Sequence, residues 1–180
     1  GITVGGKALR EHFEAINHRN AIYYVEDIIK KVEPFSEWQI RNIHQLILKN
    51  IDDHNAGRYR QQNVLISGAT NTPPDYTLLN DKMAHFVDWY NSESSQLHPI
   101  ERAAKVHSDF VGIHPFIDGN GRTSRLLMNL ELMKAGYPPC VITVENRLAY
   151  YEALDQWMAF GKTEASNQLV ADAVMERFKP

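Results

Sequence analysis

The sequence lacks the features that mark secreted, membrane-spanning or disulfide-linked chains. Its single cysteine, Cys140, excludes an internal disulfide and a zinc site built from paired cysteines. Its apolar runs are too short for a transmembrane span or for the hydrophobic core of a signal peptide. We therefore expect a domain of a reducing compartment, placed in the cytoplasm, without membrane contact.

An excess of positive charge is also absent. The chain has 19 Lys and Arg residues against 22 Asp and Glu residues, a formal net charge of -3, which is the wrong sign for a domain that coats nucleic acid. The content of 43% hydrophobic and 23% charged residues is typical of a globular domain and excludes a disordered chain. A length of 180 residues suits one hydrophobic core. We expect a single domain over 1–180 that does not bind nucleic acid.

Helical periodicity runs through most of the sequence. Apolar residues recur at three- and four-residue spacing over 7–32, and Pro34 ends this pattern. Ser36 and Gln39 fit a capping box that opens a second helix, extending to Ile51. Small and apolar residues predict that the helix beginning at Pro99 is largely buried. Further helices are predicted over 78–90, 99–112, 147–160 and 164–178, and one more from the break at 118–121 to Gly136.

Residues 57–76 have a different character. They contain the β-prone run Asn63-Val-Leu-Ile66, followed by turn-forming residues that include Pro73 and Pro74. This pattern predicts a short surface strand or hairpin. The expected fold is therefore all-α, a helical bundle with one small β-hairpin.

The segment 113–125 carries an unusual combination of residues between two predicted helices. Gly119 and Gly121 allow positive φ angles, which turn backbone N–H groups inward and form an anion-binding nest. The N-terminal end of the following helix adds partial positive charge. Arg122 and Arg125 are three residues apart and project from one face of its first turn. These donors suit a polyphosphate better than a single carboxylate.

Two further groups give this segment catalytic character. Asp118 supplies an oxygen ligand of the kind that holds Mg²⁺ beside bound phosphates. His114, with an unperturbed pKa near ~6.5, can accept a proton at neutral pH. Taken alone, the Gly-Asn-Gly run is a structural turn, Asp118 an N-cap and Arg125 a solvated charge. Together, these residues predict phosphate-transfer chemistry.

The same residues carry a family resemblance. The run His114-Pro-Phe-Ile-Asp-Gly-Asn-Gly-Arg-Thr-Ser-Arg125 resembles the Fic signature, His-Pro-Phe-x-Asp/Glu-Gly-Asn-Gly/Lys-Arg, followed by the second arginine of its AMP-transferring members. The signature matches without a departure. The flanking runs Gly57-Arg-Tyr-Arg60 and Ala135-Gly-Tyr-Pro-Pro139 are also similar to the family, so the resemblance spans nearly the whole chain.

The resemblance implies a protein adenylyltransferase that uses ATP and Mg²⁺. His114 would deprotonate a Ser, Thr or Tyr hydroxyl of a target protein, or of the chain itself, and that hydroxyl would attack the α-phosphate and release pyrophosphate. Asp118 would hold Mg²⁺ on the phosphates. Arg122 would bind the β-phosphate and Arg125 the γ-phosphate. The other residues that the resemblance assigns to the nucleotide are Phe116, which also anchors the loop in the core, Gly119, Asn120, Gly121, Thr123, Ser124, Tyr150, Tyr151, Ile66, Ser67 and Gly68.

The resemblance also implies partners. Residues 63–74 are similar to the family's flap, which holds a target segment by strand addition. Many members carry an inhibitory helix with the pattern Ser/Thr-x-x-x-Glu, and no Ser or Thr here has a Glu four residues later. Because residues 1–7 resemble text that follows this helix, we expect it upstream of residue 1 in cis, or supplied in trans. A homo-oligomer is a further expectation.

Three functions stay open at this point. They are AMP transfer, a different phosphate reaction on the same fold (de-AMPylation, transfer of another nucleotide, or phosphorylation), and a catalytically quiet peptide-binding module. Intact His114 and Asp118 argue against the module, and Arg125 argues against phosphorylation.

Other polar residues receive structural interpretations. His107 is expected to be a hydrogen-bonded core histidine, since no third metal ligand follows at useful spacing. Without the resemblance, Tyr150 and Tyr151 would be packing aromatics, and Cys140 is expected to be a small buried residue. No chemistry is assigned to His12, His18, His44, His54, His85 and His98.

Overall fold

Seven α-helices form most of residues 8–143 and 146–179, which the computed structural model describes. They are α1 (Leu9–Lys31), α2 (Glu37–Leu48), α3 (Leu79–Glu93), α4 (Pro99–Ile113), α5 (Asn120–Lys134), α6 (Arg147–Phe160) and α7 (Glu164–Glu176). Among the described residues, no helix combines the length and the apolar character needed to cross a membrane. The predicted start of the first helix at Lys7, and the family-like residues 1–7, lie outside the described residues.

The capping interactions of α2 are simpler than the sequence predicts. Ser36 Oγ accepts a hydrogen bond from the Gln39 N–H at 3.4 Å. The Gln39 side chain donates to Glu33 at 3.1 Å instead of reaching back, so only half of the predicted capping box is formed. The helix ends at Leu48, before the predicted Ile51, because the backbone leaves the helical conformation at Lys49, whose ψ is 129°, and at Asn50, whose φ is 61°.

Helix α4 is the centre of the fold. It packs against α3, α5, α6 and α7, and the buried face that the sequence predicts is confirmed. Its Phe110 lies in the main hydrophobic cluster with Phe116 of the following loop and Leu127 of α5, and all three are 0% exposed. The α4–loop–α5 unit therefore holds the predicted active-site segment against the core, where the loop cannot shift without disturbing packing.

The all-α class is confirmed, but the predicted β-hairpin is not formed. Residues 57–75 consist of turns and extended backbone without strand pairing. The buried guanidinium of Arg60 occupies carbonyls on both arms of this segment, donating to Gln62 O at 2.9 Å and to Pro74 O at 2.6 Å. Pro73 and Pro74 also lack the N–H groups that a strand ladder requires. We call residues 63–74 the flap.

Candidate active site

The loop between α4 and α5 is closed by a two-way hydrogen bond. Asn120 Oδ1 accepts from the Phe116 N–H at 2.9 Å, and Asn120 Nδ2 donates to the Phe116 carbonyl at 2.8 Å. Asn120 is 2% exposed and Phe116 is 0% exposed. The side-chain amide predicted to bind phosphate is thus committed to the loop, and only the backbone N–H of Asn120 is left for an anion.

His44, in α2, packs against the loop and forms a hydrogen bond with its backbone. Its Nδ1 accepts a hydrogen bond from the Gly57 N–H at 2.9 Å, so its Nε2 carries the proton and donates to the Asp118 carbonyl at 2.8 Å. Its ring stacks on Phe116 at 3.5 Å with an interplanar angle of 3°. This contact of His44 is not predicted from the sequence, in which the only signal is a polar residue within the apolar stripe of α2.

Gly119 is required at its position for two reasons. Its φ of +81° is a conformation that residues with a side chain rarely adopt. A Cβ there would also lie 3.3 Å from His44 Nε2 and 3.4 Å from Ile47 Cγ2. A larger residue would therefore push the loop off its support.

His114 caps the C-terminal end of α4 in a left-handed conformation, with φ of 51°. Its Nδ1 lies 3.3 Å from the Val111 carbonyl, which can only accept, so Nδ1 is the protonated nitrogen and Nε2 keeps its lone pair. Burial lowers the pKa of His114, and the positive charge of Arg60 lowers it further. The half-buried imidazole is therefore neutral at physiological pH, with one nitrogen able to accept a proton.

Arg60 joins the motif to the flap. Its Nε donates to the His114 carbonyl at 2.8 Å, and its backbone N–H donates to the Pro115 carbonyl at 2.9 Å. Because the same guanidinium also donates to the carbonyls of Gln62, just before the flap, and of Pro74, at its end, one buried side chain connects the motif with both ends of the flap. Sequence reasoning did not give Arg60 this function, although the residue lies in the family-like run 57–60.

One face of α1 packs against Asp118 and Arg122 at the start of α5. This contact is not predicted from the sequence. Arg10 donates to Asp118 Oδ2 at 2.8 Å and to Glu14 at 3.1 Å. Arg122 lies 3.4 Å from both Glu14 Oε1 and Asp118 Oδ1. Burial lowers the pKa of His18, and the positive charges of Arg125 and Arg122 lower it further. The signal in the sequence was the four-residue spacing of 10, 14 and 18 on one helical face.

The Asp118 carboxylate is ionised and partly solvent-exposed. Burial by itself raises its pKa, but the charge of Arg122 and the hydrogen bonds from Gly119 and Arg10 outweigh burial and hold the pKa below its ordinary value. Within 8–143 and 146–179, no cluster of three or more His, Cys, Asp or Glu side chains is placed to hold a metal. One carboxylate completed by phosphate oxygens and water suits Mg²⁺, so the residues fit a nucleotide-borne ion.

A cavity of about 310 Å³ opens beside Arg125. It is lined by Arg125, Ile142, Thr143, Arg147, Tyr150 and Tyr151. The two tyrosine rings meet edge to face at 5.3 Å, and the Arg147 guanidinium lies 5.7 Å from the Tyr151 ring centre. Arginine guanidinium groups suit a phosphate and aromatic rings suit a base, and the lining contains both. Sequence reasoning did not identify Arg147.

The flap packs on α6 next to this cavity. A Cβ on Gly68, whose φ is +89°, would lie 3.0 Å from the Tyr151 ring. The carboxylate of Asp155, one turn after Tyr151, accepts the Thr70 N–H at 3.0 Å. Ile66 is buried against this region, whereas Ser67 is exposed.

The structure places two of the predicted nucleotide-binding side chains in the interior. Thr123 and Ser124 are both 0% exposed, and Ser124 Oγ donates to the Gly121 carbonyl at 2.9 Å. Arg122 and Arg125 are half-buried on the helix turn that carries these two residues. Within this turn, the arginines are therefore the side chains accessible to an anion.

The chain is similar to known proteins in sequence and in fold. Residues 34–132 match the Fic/DOC family. Protein adenylyltransferase fic-1 of Caenorhabditis briggsae is 40% identical over 157 residues, covering 86% of this chain and 31% of the relative. Protein adenylyltransferase Fic of Nematostella vectensis is 43% identical over 157 residues, covering 86% of this chain and 36% of the relative. The chain thus spans about a third of the length of these curated relatives.

The fold is similar to that of a solved relative. The structure of residues 134–508 of Fic-1 from C. elegans superposes with a TM-score of 0.86 at 36% identity. The match covers 98% of this chain and 52% of that chain. The resemblance drawn from the motif is therefore confirmed at the level of both sequence and fold.

Proposed function

This chain belongs to the Fic/DOC family, and on that premise we propose that it transfers AMP from ATP to a Ser, Thr or Tyr hydroxyl of a target protein. The observation that carries the proposal is the state of His114, a neutral imidazole whose Nε2 is free to accept a proton. It caps one end of the loop whose other end is the N-terminus of α5, a ready site for phosphate.

In the proposed reaction, His114 is the general base. His114 Nε2 takes the proton of the target hydroxyl, and the hydroxyl oxygen forms a bond to the α-phosphorus. The bond between the α-phosphorus and the bridging oxygen breaks, and pyrophosphate leaves with both electrons of that bond. The His114 ring, held by its cap geometry and by Arg60 at its carbonyl, keeps one orientation during this transfer.

The loop and α5 supply the binding of the triphosphate. We assign the backbone N–H groups of 119–121 and Arg122 to the β-phosphate, and Arg125 to the γ-phosphate. Asp118 is the residue that would hold Mg²⁺, which supplies neutralisation of the phosphate charge when bound. Tyr150 and Tyr151 border the adenosine, since they line the cavity that contains Arg125.

The exposure pattern of the flap supports the proposal of a protein substrate. Asn63, Leu65 and Ser67 are exposed, whereas Val64 is half-buried and Ile66 is buried, which is the alternation of an extended strand with one free face. Leu65 is 79% exposed. An extended target segment added along 63–74 would bring its hydroxyl to the motif through backbone hydrogen bonds.

Inhibition would act on Arg125. This arginine lines the cavity and makes no ion pair with a carboxylate of residues 8–143 or 146–179. A glutamate from an inhibitory helix, in cis upstream of residue 1 or in trans from a partner, would occupy the place assigned to the γ-phosphate. Adding such a helix should lower auto-modification, and unchanged auto-modification would refute this arrangement. Size-exclusion chromatography would test the homo-oligomer.

The labelled position of ATP tests the proposed function. We expect covalent label on protein from ATP labelled at the α-phosphate and none from ATP labelled at the γ-phosphate. His114→Ala should abolish transfer and keep ATP binding, whereas His85→Ala, at an exposed histidine of α3, should transfer normally. Label from the γ-position alone would instead indicate kinase chemistry, and label from neither position would favour a quiet binding module.

A further inference from the structure

A buried polar pair lies directly behind the nucleotide cavity. His107, in α4, is 3% exposed, and its Nε2 is 3.1 Å from the hydroxyl of Tyr150 in α6. Tyr150 also lines the cavity together with Arg125. The pair therefore joins the central helix of the fold to a wall of the cavity.

Little free space surrounds the His107 side chain. The free space among His107, Ser108 and Tyr150 is about 10 Å³, at or below what one water molecule requires. The imidazole is thus the partner of the Tyr150 hydroxyl. Together with the edge-to-face contact to Tyr151 at 5.3 Å, it fixes the plane of the Tyr150 ring.

The hydrogen bond between His107 and Tyr150 is formed by a neutral histidine. Burial lowers the pKa of His107 to about 4, and the nearby charge of Arg125 lowers it as well. Burial also raises the pKa of Tyr150 to about 12. A neutral imidazole and a neutral phenol share one hydrogen bond without adding a second buried cation beside Arg125.

We propose that His107 is a positioning residue of the nucleotide pocket, which acts by holding the Tyr150 ring against the adenosine. The inference rests on the proposed function, since it takes the cavity beside Arg125 as the ATP site. It gives a function to a histidine whose sequence context indicated only a core residue. His107 is buried, as expected of a core residue, and its hydrogen bond to Tyr150 also lets it influence the nucleotide cavity.

Direct ATP binding and steady-state transfer, measured on the same variants, test the inference. His107→Phe keeps the ring and removes the nitrogen, so the Kd and KM for ATP should rise about fivefold, the equivalent of one neutral hydrogen bond. The kcat should stay within about twofold, because His114 is unchanged. His107→Gln places an amide near the Nε2 position and should restore most of the affinity.

Two controls separate positioning from packing. Tyr150→Phe should reproduce the His107→Phe effect, and the double variant should bind ATP no more weakly than either single variant. Ser108→Ala removes a different buried hydrogen bond of α4, to Ser166 at 3.3 Å, so its melting temperature should fall while the Kd for ATP stays unchanged.

Several results would overturn the proposal. They are an unchanged Kd in His107→Phe, additive losses in the double variant, and an equal loss of affinity in Ser108→Ala. Calorimetric ATP binding needs no transfer, so it also separates the two proposals. Altered ATP affinity without any α-label on protein would retain the positioning function and refute AMP transfer.

Discussion

The guanidinium of Arg10, in the first turn of α1, donates a hydrogen bond of 2.8 Å to the carboxylate of Asp118. The same carboxylate also lies 3.4 Å from Arg122. The oxygen atoms that we assign to Mg²⁺ are thus shared with two cations. A metal ion bound there, as we propose, would compete with the guanidinium groups for this carboxylate.

Arg10→Gln should strengthen metal binding. Removing one cation makes the electrostatic potential at Asp118 more negative, which favours a bound metal ion. Because the Arg10 and Asp118 side chains are 56% and 47% exposed, the gain in metal affinity should be only about two- to fivefold. The measurement is Mn²⁺ affinity, followed by electron paramagnetic resonance with a non-hydrolysable ATP analogue present. The gain should shrink at high salt.

The matched control for this charge change is Arg19→Gln. Arg19 is also an exposed arginine of α1, nine residues further along and on the opposite face of the helix. It should leave the Mn²⁺ affinity unchanged. Equal gains in both variants would show a general charge effect and contradict a specific competition at Asp118.

Gly68→Ala should weaken ATP binding through Tyr151. The added Cβ would lie 3.0 Å from the Tyr151 ring, so the ring or the flap must move. Gly136→Ala is the matched control, because its φ of +84° resembles the +89° of Gly68 but its Cβ meets no atom within 4 Å. Both variants should lose about 1 kcal/mol of stability from the backbone conformation. Only Gly68→Ala should raise the KM for ATP.

The outcome that would contradict this prediction is equally specific. If Gly136→Ala raised the KM as much as Gly68→Ala, the effect would come from general loosening. If neither changed the KM, the contact between the flap and Tyr151 would have no part in nucleotide binding.

The motif could be predicted from the sequence because its geometry is local. His114, Asp118 and Arg122 lie within nine residues, and the φ preferences of Gly119 and the first turn of α5 fix their relative positions. The helices could be predicted for a related reason, since apolar periodicity and caps are short-range signals. The bounds of α6, Arg147–Phe160, agree with the prediction at both ends.

The supporting residues could not be predicted, because they act across long sequence separations. His44 reaches Asp118 over 74 positions and Arg60 reaches His114 over 54. A histidine or an arginine in the sequence does not indicate by itself which backbone carbonyl its side chain will hydrogen-bond to. The hairpin was predicted wrongly for the same reason, since the β propensity of 63–66 is local whereas the contacts of Arg60 are tertiary.

The stability of the protein should fall in mild acid because of His44. Burial lowers the pKa of His44 to about 4, below the ~6.5 of an unfolded histidine. The unfolded chain therefore binds more protons between pH 6.5 and 4, so this stabilisation is complete above about pH 6.5 and is lost as the pH falls toward 4. For one such histidine the loss at pH 5.5 is about 1.4 kcal/mol.

Urea unfolding at pH 7.0 and 5.5 measures this loss. His44→Gln should be less stable at pH 7.0 but should show a smaller difference between the two pH values, by about 1.2 kcal/mol, because about 0.2 kcal/mol of the loss has already occurred at pH 7.0. His54→Gln, at an exposed histidine, should keep the wild-type difference. A wild-type pH difference in His44→Gln would contradict the assignment of this titration to His44.

The pH dependence of transfer should report His114. The acid limb of kcat/KM gives the pKa of the base in the free enzyme. Because burial and the charge of Arg60 lower the pKa of His114, activity should persist below the ordinary histidine range and fall with a midpoint under ~6.5. His18→Gln is the control, since burial and the charges of Arg125 and Arg122 also lower the pKa of His18. Its acid limb should keep the wild-type midpoint. A midpoint above ~6.5, or a limb that disappears in His18→Gln, would remove His114 as the titrating base.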